Sequence, residues 1–158
     1  ALVVSNYKLP QETIGKILDI GKDMLEKPIE LLDGVEKVLQ GLQGKYRLIV
    51  ATKGDLLDQE RKLEKSNLLQ YFHHVEVMSD KKEKDYLKLV KHLDIAPSQL
   101  LMIGNSLKSD VLPLLNINAS AIHVPFHTTW VHEEIPEEDQ QKLDYITLVN
   151  IKELIALI

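Results

Sequence analysis

Along residues 11–26 apolar side chains recur at steps of three and four: Ile14, Ile17, Leu18, Met24 and Leu25 share one face with Gly21. That spacing predicts an amphipathic helix, which Pro28 ends. Asp33, followed three residues later by Glu36, predicts a capping-box start for a second helix that carries Val35, Val38, Leu39 and Leu42 and stops near Gly44. From Tyr46 the period switches back and forth. YRLIVAT, VEVMS and LLMIGN are short apolar runs of the kind used by strands buried on both faces, and residues 56–65 and 86–93 between them return to helical spacing. Beyond LLMIGN the pattern predicts a helix at 111–116, a strand at SAIHVP, a longer loop through PFHTTWVHEE, a short strand at YITLV and a terminal helix at 151–158. Such alternation implies right-handed crossovers and a mostly parallel sheet with helices on both faces, an α/β fold.

Composition narrows the class. At 158 residues the chain suits one main domain with a small appendage, and the break in composition at residues 27–32 divides it into 1–30 and 31–158. A net charge of −5 and a pI near 5.7, with no face-long basic block, argue against nucleic-acid or membrane-surface binding. The absence of cysteine excludes disulfides and thiolate chemistry. No apolar run is long enough to span a bilayer, so the expectation is a cytoplasmic protein with neither membrane nor nucleic acid as partner.

Parallel strands place their carboxyl ends on one edge, so the residues that follow each strand converge there. The first strand runs into Thr52-Lys53-Gly54, the second into Ser79-Asp80-Lys81-Lys82, and the third into Gly104-Asn105-Ser106 with Asp110 one turn later. A hydroxyl, ammonium groups and oxygen ligands at one crevice suit a phosphoryl group held beside a hard cation. Each residue also has a plainer role. Thr52 is a β-branched strand residue, Lys81 shares a charge run with Lys82 and Lys84, and Asp110 is an acid in the first turn of a helix. Asn105 and Ser109 can shape the turn and cap the helix. His73, His74, His123, His127 and His132 lack the spacing of a helical zinc pair, and Trp130 either closes over the crevice or anchors its loop.

Taken in order, these segments resemble the haloacid dehalogenase-like hydrolase superfamily from about Leu32 onward, and GNSLKSDVLP with HVPFHTTWVHEE resembles a phosphatase-like subgroup. The resemblance implies that IVAT supplies a phosphoryl-binding hydroxyl at Thr52, with Lys53 and Gly54 beside it. It also implies that Lys81 neutralises the nucleophile and the phosphoryl oxygens, and that Asn105 and Asp110 stand where magnesium ligands lie. Residues 1–30 would then be the C-terminal part of a helical cap, and 31–158 a Rossmann-like core. The implied activity is magnesium-dependent hydrolysis of a small phosphorylated metabolite through an aspartyl-phosphate intermediate. Two departures stand out. An apolar strand ending in Asp-x-Asp, the family's nucleophile motif, occurs nowhere in the chain, and Asn105 replaces the usual acidic ligand. The expectation is that a preceding segment of the same protein supplies the strand, the nucleophile and the rest of the cap, and that these residues alone are inactive. Metal-independent dehalogenation and a non-catalytic phosphate-binding module remain as alternatives.

Overall fold

The computed structural model describes residues 10–127, 135–140 and 143–158. The chain divides into two compact units, residues 1–30 and 31–158.

In the first unit, α1 (Gln11–Glu26) follows Pro10 and ends where the Lys27 amide bonds Asp23 O at 3.1 Å. Its apolar stripe is uncovered: no side chain of α1 is buried, and Ile17, Leu18 and Met24 are each at least half exposed.

The second unit opens with α2 (Val35–Leu42). Its start corrects the expected capping box. Gly34 is the N-cap at φ 85, and the Asp33 carboxylate instead meets the Lys152 ammonium, whose hydrogen bond holds Asp33 below the usual carboxylate range. Then follow β1 (Ile49–Lys53), α3 (Leu56–Ser66), β2 (His74–Met78), α4 (Glu83–His92) and β3 (Leu101–Gly104). A π-helical turn at Leu107–Val111 leads into α5 (Leu112–Asn116), β4 (Ser120–His123), α6 (Glu137–Gln140), β5 (Ile146–Thr147) and α7 (Leu154–Leu157). The helix expected from residue 111 therefore begins as this wider turn. The YITLV strand shortens to two residues, and the terminal helix opens with a 3-10 turn at Ile151–Glu153.

All strand pairs are parallel, and the fold is the expected Rossmann-like α/β arrangement. Among the described residues, however, the strands form two sheets, β1-β2 and β3-β4-β5, with no ladder between β1 and β3. Their side chains alternate between the same two apolar layers. Ile49 and Ala51 of β1, Met102 of β3 and Ala121 of β4 face a cluster built on Tyr86, Leu89, Val111 and Leu114. Leu48, Ile103 and Ile122 face a second cluster of Val38, Leu42, Leu148 and Leu154. Side-chain period two thus holds both sheets in one layer across a break in the backbone ladder. Among the described residues no helix is long and apolar enough to cross a membrane.

Leu114 is fully buried in the first cluster, whereas Val149 is 82% exposed. Leu114→Ala is expected to cost about 2–5 kcal/mol of unfolding free energy by chemical denaturation. Val149→Ala should stay within about 0.5 kcal/mol.

Candidate active site

Among the described residues the buried polar side chains are Lys81, Ser106, Ser109 and Asp110, and they gather in one place. They lie at the carboxyl ends of β2 and β3, beside the end of β1.

Lys81 follows β2 in the left-handed region, at φ 54, a conformation that side chains other than glycine adopt at a cost. Its ammonium forms a buried ion pair with Asp110 Oδ1. The other oxygen, Oδ2, accepts the Ser106 amide at 3.0 Å, so both carboxylate oxygens are engaged. Gly104 makes room for this group. A Cβ built there would lie 2.6 Å from Asp110 Cβ and closer still to its carboxylate. A serine hydroxyl starts the turn, for Ser106 Oγ accepts the Ser109 amide at 3.0 Å. Lys82 differs from Lys81 in kind: its side chain is 63% exposed and lies 3.5 Å from Asp80. Lys84 is exposed as well.

On the other side of the break in the sheet, Thr52 donates its hydroxyl to Gln59 Oε1 at 3.1 Å. Gly54, at φ 129, carries the chain past Gln59, whose amide nitrogen would lie 3.2 Å from an added Cβ. Lys53 reaches across the break, and its Nζ donates to Ser109 Oγ at 3.0 Å. Below this bond the fully buried Tyr86 donates its hydroxyl to Ser109 O at 2.9 Å. Desolvation, followed by the charges of Asp110 and Asp85, pushes its phenol well above the ordinary range and keeps it a donor.

Thr52, Lys53, Lys81 and Asp110 therefore fall in one bonded neighbourhood. Asn105 stands at its rim with an exposed side chain, and its carbonyl lies 3.1 Å from His123 Nε2. The donors there suit an anion better than magnesium. Asn105 offers a neutral amide, both Asp110 oxygens are already bonded, and no trio of His, Cys, Asp or Glu gathers among the described residues. The described residues do not make a magnesium site by themselves. Trp130 and His132 lie outside the described residues.

Sequence patterns pointed to none of Gln59, Tyr86 or the Ser109 contact with Lys53. Ser106, three residues before Ser109, carried a usable cap signal. Tyr86 reads as one apolar position of α4, and the Lys53 and Ser109 partners are 56 residues apart.

A family model of the haloacid dehalogenase-like hydrolases matches residues 5–118. The chain belongs to this family. No curated protein matches it. Among solved structures, a haloacid dehalogenase-like hydrolase from Xanthomonas campestris superposes with a TM-score of 0.81 at 29% identity, over 99% of this chain and 65% of its own. A family hydrolase from Bacillus subtilis, bound to magnesium, gives 0.66 at 20% identity over 81% of this chain and 56% of its own. A family phosphatase from Thermococcus onnurineus gives 0.65 at 22% over 81% and 58%. This haloacid dehalogenase-like chain thus spans between half and two thirds of the length of these relatives, and the lower-identity pair share its fold.

Breaking the buried pair from one side strands a charge. Asp110→Asn and Lys81→Met are each expected to destabilise the protein by about 3–5 kcal/mol. The double variant should cost clearly less than the sum, which a thermodynamic cycle from denaturant titrations would read.

Proposed function

We propose that this chain is the phosphoryl-binding part of a hydrolase that cleaves a small phosphorylated metabolite through an aspartyl-phosphate intermediate. The observation that supports the reading is the row Thr52, Lys53, Ser109, Asp110 and Lys81, in which Lys53 bonds Ser109 and Lys81 bonds Asp110 at the strand ends. In this reading a phosphoryl oxygen takes the Thr52 proton from Gln59, while Lys53 and Lys81 face the charge that builds on the other oxygens. A carboxylate attacks phosphorus, the ester oxygen leaves with a proton as the alcohol, and water then cleaves the acyl phosphate. That carboxylate is assigned to a further segment of the protein, since Asp-x-Asp is absent from the 158 residues. The magnesium-bound relative supports magnesium as the cofactor, with Asn105 and Asp110 beside it. Most of its ligands would have to be carboxylates outside the described residues, and the roles of Thr52 and the two lysines stand without it. The exposed stripe of α1 supports the reading of residues 1–30 as part of a cap.

The break between β1 and β3 supports the placement of that further segment. One extended parallel strand there would pair both open edges and bring a residue at its carboxyl end between Thr52 of β1 and Asn105 after β3. Each buried backbone group left without a partner costs about 1–3 kcal/mol, so the segment would contribute stability as well as chemistry. A second reading, carbon–halogen hydrolysis without metal, draws on the neutral Asn105 and the engaged Asp110.

In the full-length protein Thr52→Val and Lys81→Ala are expected to lower turnover of a phosphate monoester by about tenfold or more, with Lys82→Ala mild. Turnover of a 2-haloacid in place of phosphate monoesters, indifferent to chelators, would favour the second reading. Full activity in both variants would sink both.

For the strand, the amides of β1 and β3 that face the break, not those bonded to β2 and β4, are expected to exchange rapidly in the isolated 158-residue chain. A preceding segment of on the order of 50–100 residues should slow them. Strong protection of the break-facing amides in the isolated chain would show that its sheet is already complete.

A further inference from the structure

A hydroxyl carries a single proton, so a threonine that is to give that proton to a ligand holds it elsewhere until then. Thr52 holds it on Gln59, whose Oε1 accepts at 3.1 Å, with the Lys53 carbonyl a looser alternative at 3.4 Å. The passage from β1 into α3 brings this partner to the strand end. Gly54 turns the chain at φ 129, the Asp55 carboxylate caps α3 by accepting the Asp58 amide at 3.1 Å, and the Gln59 backbone amide bonds Asp55 O at 3.0 Å. The side-chain amide of Gln59 has two unlike ends. Oε1 only accepts, whereas Nε2 carries two N–H donors on the same planar group. When an anion takes the Thr52 proton, Oγ1 and Oε1 are left facing each other as two acceptors at a distance the proton had bridged, which is a repulsive contact. A half-turn of the amide replaces it with a hydrogen bond from Nε2 to Oγ1. Gly54 leaves room for that half-turn, since a Cβ there would come within 3.2 Å of Nε2.

We propose that Gln59 is a positioning residue that holds the Thr52 hydroxyl in one orientation and then reverses its amide to donate to Thr52 Oγ1 once an anion claims the proton. The anion's identity as phosphoryl rests on the reading above, but the holding of Thr52 by Gln59 does not. A hydroxyl that receives one hydrogen bond while donating another is polarised by the chain and donates more strongly.

Two measurements on the full-length protein test this. Without ligand, NMR couplings to the Thr52 methyl carbon should report a single χ1 rotamer in the wild type and an average over rotamers in Gln59→Leu. Gln59→Glu, which keeps the acceptor, should restore the single rotamer. On titration with inorganic phosphate, the side-chain amide signal of Gln59, identified by its loss in Gln59→Leu, should move downfield in the wild type and stay in place in Thr52→Val. Calorimetry of the same titration should show Gln59→Leu weakening phosphate binding by about three- to tenfold, and causing no further loss when added to Thr52→Val. An unchanged Thr52 rotamer in Gln59→Leu would overturn the proposal. So would a Gln59 amide that ignores bound phosphate, or a loss of affinity that persists undiminished in the Thr52→Val background. A wild type that fails to bind phosphate, with the Thr52 rotamer still dependent on Gln59, would overturn the phosphoryl reading and still support the holding of Thr52 by Gln59.

Discussion

The buried pair between Lys81 and Asp110 is the constraint to which the rest of the site answers. Two charges taken out of water are tolerable only when they meet each other and when their remaining bonding capacity is used. The structure meets both terms locally. Asp110 spends its second oxygen on the Ser106 amide, Gly104 leaves the space its carboxylate needs, and the left-handed backbone at Lys81 begins the side chain that reaches it. The pair also ties together segments distant in sequence, for Lys81 ends one sheet's β2 while Asp110 follows the other sheet's β3.

Much of the fold was legible because buried parallel strands leave continuous apolar runs. LIVAT, VEVM and LMIG each became a strand close to its expected bounds, and α1 matched its stripe of apolar residues from Gln11 to Glu26. Failures came where a distant partner outbid a local pattern. Asp33 and Glu36 have the spacing of a capping box, yet Lys152, far along the chain, takes the Asp33 carboxylate, and Gly34 starts the helix instead. Nothing near residue 33 announces that ion pair.

The site divides along the same line. Thr52, Lys81 and Asp110 were legible as residues at strand ends, because topology alone gathers such positions. Which lysine turns inward was not: Lys81 and Lys82 are chemically identical, and only the backbone conformation and the waiting carboxylate separate the buried one from the exposed one. The links from Tyr86 and Lys53 to Ser109 belong to tertiary structure, and no local period encodes them.

The π-helical turn at Leu107–Val111 carries information of an unusual kind. What it specifies is a length. An α-helical turn closes on the residue four back, and this one closes on the fifth, so its sequence holds one residue more than helical continuity requires. Removing any residue from it, even one whose side chain touches nothing of note, would advance every later position by about 100° around the axis. The hydroxyl and the carboxylate would then no longer arrive together at their two lysines. Spacing, as much as side-chain identity, is therefore what this crevice requires of evolution, and substitutions within the turn should be better tolerated than deletions from it.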